Sequence, residues 1–383
     1  MNAERLNAIA AAIQDDLATT DVPTLLRQLA SELNLAVEEP QVPSHAQAVA
    51  AYRGQLNSQL AASRTNEFSD AWRLTVEELG IADLLGNTLR DRIESIFLRN
   101  EITLPVAAAE IAEISARLDS TVALLEKVTQ GLTGLGVGSE ELAPGQFEIG
   151  FLIPRPAVDN ELEQLGKEFV KLDQILGPFL ELTGENRPDL ELRSISSSGF
   201  QVFLDAYADL ALTMSRVVES LLASYERIRG MRKTAEEMDA QGTPPEVIDQ
   251  YTAFANDRMA LDIDALAGQL IDEAGDRVPE GRRAELRLDV RHSLRQLADR
   301  IDEEYSIEVR AFVLPAEAET EGTEALPEGV TDEQARAAIQ ITARQPRMRT
   351  MNLTGRRILE LAAADEDREA ADGADEAEGP TSS

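Results

Sequence analysis

The 383-residue chain contains no cysteine, which excludes disulfide frameworks, zinc fingers, iron–sulfur ligation and a thiolate nucleophile, because each needs the thiol. Histidine is nearly absent, His45 and His292 being the whole supply, so imidazole chemistry has little to draw on. Aromatic residues make up 4% of the chain against a hydrophobic fraction of 43%. That is the composition of aliphatic helix packing rather than of sandwiches or barrels built on aromatic strands. No run of about 18 uncharged apolar residues occurs, and the opening MNAERLNAIAAAIQDD has no basic segment leading into an apolar one. The expectation is a soluble, cytoplasmic protein with no membrane contact.

Positive charge is also short. Seventy acidic residues stand against 36 basic ones, a net charge of -34, which repels phosphate backbones and disfavours a general nucleic-acid or anionic-membrane binder. Lysine is confined to Lys127, Lys167, Lys171 and Lys233. The arginine excess reads as genome base composition, and the acidity as a solubility coat or the mark of a halophilic source.

What is present is helical periodicity. Residues 1–135 read as a helical region, broken at Glu38–Ser44 and near Gly80. Within it Ile111, Ile114, Leu118, Thr121, Leu125, Val128, Leu132 and Leu135 alternate steps of three and four, the spacing that keeps one seam against a partner helix. The packing candidates are therefore Ile111, Ile114, Leu118, Leu125, Val128 and Leu132.

The rhythm changes after the glycines Gly131–Gly138. Residues 146–154 read as a strand, Asp159 or Asn160 as the cap of a helix, with Glu163 three residues after Asn160 completing a capping box, and the segments flanking Ser198-Gly199 as a β-hairpin. A long helix is expected from about Tyr207 to Ala240. Thr243-Pro244-Pro245-Glu246 restarts a second helix, with Thr243 as its cap, and a third precedes an alternating strand, 306–314, whose inward residues are Ile307, Val309, Ala311 and Val313. The order β-α-β-β-α-α-α-β over residues 146–314 becomes β-α-β-β-α-β when two helices are removed. The expected fold is thus mostly α with a small antiparallel sheet (α+β), a ferredoxin-like element from which a long helical hairpin, about 207–305, projects; the alternative is an irregular helical bundle with a clipped-on sheet.

Beyond Leu314 the charge alternates. Residues 315–333 carry seven acids and no base, 334–362 carry Arg336, Arg344, Arg347, Arg349, Arg356 and Arg357 against Glu360, and 363–383 carry eight acids and Arg368. The outer pieces have the composition of an acidic linker and a disordered tail, the middle that of an arginine-rich helical segment. Those six arginines are the candidate contacts for a partner, for a polyanion or for the chain's own acids.

Other chemistry is thinly supported. The run Gly131 to Gly138 follows a helix and precedes a strand, the reverse of a phosphate-binding loop. Ser196–Gly199 suits a turn. Tyr207, Tyr225, Tyr251 and Phe254 fall on helix seams, where core packing accounts for them. Asp262 with Asp264, and Asp299 with Asp302 and Glu303, read as solvated helix faces rather than metal ligands. No cofactor is expected. The leading functional reading is a non-enzymatic structural or protein-interaction protein, with self-assembly through its seams as a prediction and nucleic acid disfavoured as a partner. The alternatives are a regulator of a nucleic-acid-processing or defence system, acting through its acidic surface or a tail-gated basic segment, and a carboxylate-metal enzyme.

Overall fold

A computed structural model of the chain describes residues 3–138, 142–184, 190–196, 200–314, 326–348, 358–359 and 361. It is mostly helical with one small sheet, and it divides into two compact units, Met1–Glu141 and Leu142–Ser383.

The first unit is all α. Its helices are α1 (Ala3–Thr20), α2 (Val22–Glu38), α3 (Pro43–Ala61), α4 (Asp70–Glu78), α5 (Gly86–Arg99) and α6 (Leu104–Gly134). Asp21, in the left-handed region at φ 52, turns the chain between α1 and α2, and Pro23 fits the first turn of α2, where no amide is needed. The α6 seam packs against α1 and α2. Ile111, Ile114, Leu118 and Leu125 are buried with Ile9, Ile13, Leu26 and Leu33 in one apolar core, while Val128 and Leu132 are half-buried. The helix runs through Gly131 and ends at Gly134, so the glycine stretch terminates α6 rather than following it. Buried Asp16 accepts the Ser63 hydroxyl (2.7 Å) and the Arg64 amide (2.7 Å), tying α1 to the turn after α3.

The second unit is built on β1 (Phe147–Ile153), α7 (Leu162–Leu182), β2 (Leu192–Ser196), β3 (Phe200–Ala206), α8 (Ala208–Ala240), α9 (Pro245–Ala274), α10 (Glu280–Asp302), β4 (Ser306–Ala311) and α11 (Asp332–Met348). The sheet order is β2-β3-β1-β4, every neighbour antiparallel. On β1, Phe147, Ile149, Phe151 and Ile153 share the apolar core of α7 to α10, as the two-residue period of a strand requires. The opposite face carries Glu148, a buried carboxylate flanked by Arg193 and Arg310, each at 3.3 Å. It also carries Gly150, where a Cβ would lie 2.6 Å from the buried ring of Phe203. Glycine is needed there because the ring occupies the space a side chain would take.

Helix α9 packs against α8 and α10, and α10 against α7. At 1.5 Å per residue α8 and α9, 33 and 30 residues long, span about 50 and 45 Å. Between α7 and α10, Arg300 grips Glu168 with two hydrogen bonds (2.6 and 3.1 Å). Burial beside that pair pushes the Tyr305 hydroxyl well above its ordinary range, and the Glu168 carboxylate adds to the effect.

Several sequence expectations are corrected. Asn160 does not cap α7: it sits at φ 54, left-handed, the N-cap is Glu161, and no side chain bonds the first turn. Thr243 does not cap α9 either, whose N-cap is Pro244. The final strand stops at Ala311, and the chain then turns, so that Phe312 is buried and Val313 is 81% exposed. The helix placed at 334 begins at Asp332, two residues inside the expected linker. Ser197–Gly199, residues 315–325 of that linker and the tail 363–383 lie outside the described residues.

Candidate functional site

Two features of the second unit stand out. The first is the outward face of α9. Val247, Phe254 and Leu261 are 45%, 64% and 65% exposed, at intervals of seven residues. Seven residues are nearly two helical turns, so the three side chains form one stripe along the helix. Asp257 and Arg258, also exposed, lie midway between Phe254 and Leu261. The inward face, with Ile248, Ala255, Met259, Ile263 and Leu266, is buried. Phe254 was expected on a packed seam; the seam that buries Met259 and Ile263 faces α8 and α10, and Phe254 falls outside it. Tyr207, the N-cap of α8, is likewise 47% exposed, whereas Tyr225 is fully buried.

The second feature is a groove formed by α8, α9 and α10, in which a piece of the chain's own C-terminal segment is seated. Ile358, Leu359 and Leu361 are 2%, 0% and 4% exposed. Asp302 Oδ2 accepts the backbone amides of Ile358 (2.7 Å) and Leu359 (2.8 Å), and Asp299 Oδ1 accepts that of Leu361 (2.9 Å). Tyr225 of α8 donates its hydroxyl to Asp302 Oδ1. Asn256 of α9 donates to the Ile358 carbonyl at 3.4 Å. Asp302 is fully buried and Asp299 6% exposed, so the expectation of solvated faces fails for both. A carboxylate can be buried when amide donors replace its water.

Of the six arginines, Arg336 and Arg344 are the two whose side chains fall among the described residues. Arg344 pairs with Glu219 of α8 (Nε–Oε2 3.0 Å), Arg336 is exposed on α11, and Arg347 belongs to the last turn of the same helix. Arg349, Arg356 and Arg357 lie outside the described residues. Asp262 pairs with Arg227 (3.1 Å) and lies 3.9 Å from Arg258. His45 Nδ1 lies 2.9 Å from Glu32, in the first turn of α3. Among the described residues no cluster of three potential metal ligands occurs and no helix is long and apolar enough to cross a membrane. A cavity of about 210 Å³ opens between α7 and the β2–β3 hairpin, apolar except for Asp173.

No signal in the sequence marked the groove. The spacing of Asp299 and Asp302 is common in an acidic chain, and only the fold reveals that amides of a segment almost sixty residues away reach them. Nor did the sequence mark the α9 stripe: of its three residues only Phe254 stood out, on a seam expected to be packed. No protein-family model, curated protein or solved structure matches the chain.

Proposed function

We propose that the chain is a non-enzymatic, cytoplasmic interaction protein that pairs with a second copy of itself through α9. One observation carries this reading: three large apolar side chains, Val247, Phe254 and Leu261, stand exposed at heptad spacing on a helix of 30 residues. Isolated apolar residues on a surface need no explanation, but three at heptad spacing along one helix face have the arrangement of a helix-pairing seam. The stripe is self-complementary. A two-fold axis between Asp257 and Arg258, with the helices antiparallel, sets Phe254 against Leu261 of the second copy and each Asp257 against the other Arg258. Such an isologous contact closes at two chains.

The sheet order β2-β3-β1-β4, with α7 as one crossover and α8 to α10 as the other, supports reading the second unit as a ferredoxin-like element. The α8–α9 pair is then its insertion, and carries the contact. The alternative, a regulator gated by its basic segment, has less support, because Arg344 is spent on Glu219.

Sedimentation velocity tests the pairing. The wild-type chain is expected to shift from monomer to dimer across the micromolar range. F254D/L261D, which places charge at the centre of the contact, should weaken association at least ~100-fold. A wild-type chain that stays a compact monomer throughout that range would refute it.

A further inference from the structure

Ile358, Leu359 and Leu361 are held differently from the rest of the core. Their backbone amides are held by side chains. Two carboxylates of α10 take them, and Asn256 of α9 is within reach of the Ile358 carbonyl. Groups from two helices, α9 and α10, therefore recognise main-chain donors and acceptors that any peptide would present, and Tyr225 of α8 braces Asp302 from behind. Leu361 is helical, so the captured amides lead into a helical turn, where amides lack internal partners and favour negative charge. The side chains add the selectivity, since the groove buries the first, second and fourth positions of Ile-Leu-Glu-Leu.

We propose that the groove containing Asp299 and Asp302 is a peptide-binding site, and that Ile358, Leu359 and Leu361 are the ligand residues it holds, supplied in cis. The ligand class is a short segment with two adjacent large aliphatic residues, a third two positions on, and free amides at the start of a helical turn. Two arginines, Arg356 and Arg357, precede it in the sequence, and eight acids follow from Asp365 onward. The cis segment holds the site because its tether gives it a high effective concentration. A free peptide of the same chemistry enters when the cis segment is released.

The full chain with I358D/L359D supplies the released state, and a fluorescent peptide spanning residues 353–366 is the probe. Fluorescence anisotropy should show this variant binding the peptide at least tenfold more tightly than wild type. Adding Asp302→Asn should reverse the gain more than tenfold. Folded variant protein that does not bind, or binding indifferent to Asp302, overturns the proposal. So does loss of cooperative folding in the variant, since the segment would then be core rather than ligand. Hydrogen exchange on the unaltered protein gives an independent reading. The amides of Ile358, Leu359 and Leu361 should exchange by local opening, faster than those of Leu294 and Leu297 in α10. Equal rates would show that the segment leaves only on global unfolding, and would overturn the proposal as well.

Discussion

Glu94 of α5 accepts Arg53 Nε at 2.9 Å and Asn57 Nδ2 at 2.7 Å, joining α3 to α5. The hydrogen bond from Arg53 is the chief reason its carboxyl titrates below the usual value of 4.5, with the Asn57 amide and the charges of Arg53 and Arg90 adding to it. A depressed carboxylate stabilises the fold above its unfolded pKa, and the contribution is lost as pH falls through the folded value. Both side chains are about one-third exposed, so solvent screening holds the contribution to about 0.5–1 kcal/mol. Glu94→Gln should cost that much at pH 7, and the difference from wild type should shrink below pH 4.5; urea unfolding at pH 7 and pH 3 measures both. Asp302 follows a different logic. Its cost of burial is offset by two amides and a phenol hydroxyl, none of which is near it in sequence, and for that reason it could not be told from a solvated acid by spacing.

At the scale of elements, α6 shows what periodicity conveys. Its alternating three and four steps place Ile111, Ile114 and Leu118 in the core, and the same rule explains why Leu124, outside the seam, is 58% exposed. Ile111→Ala should cost about 2–5 kcal/mol. Hydrogen exchange should show the loss in the amides of α1, α2 and α6, while those of the second core, which shares no residue with the first, keep their protection. Unchanged protection in α1 and α2 would mean that the seam does not hold these helices. The helices, the sheet strands and the pairing of β2 with β3 were legible because each is written in local spacing. Caps were not: Asn160 and Thr243 have the right residue types, but the backbone enters α7 through left-handed Asp159 and Asn160 and enters α9 through Pro244. Nor was the side of α9 that stays bare, because apolar spacing places Phe254 on a face of the helix and does not say what covers that face.

At the scale of the whole molecule, the proposed pairing sets a second copy against the outward face of α9, and the proposed binding site takes a peptide in the α8–α10 groove. The absence of cysteine makes the first claim directly measurable, since one introduced thiol can be labelled without background. A nitroxide on Gln250→Cys, beside the stripe, reports the geometry of the pair by pulsed electron paramagnetic resonance. In the antiparallel register centred between Asp257 and Arg258, the two labels are 15 residues apart along the axis. At 1.5 Å per residue, and with helices 8–10 Å apart, this predicts a separation of about 25 Å. A distribution centred there, abolished by F254D/L261D, is the expected result. No dipolar coupling at micromolar concentration, or a separation near 10 Å as a parallel pairing would give, would contradict it.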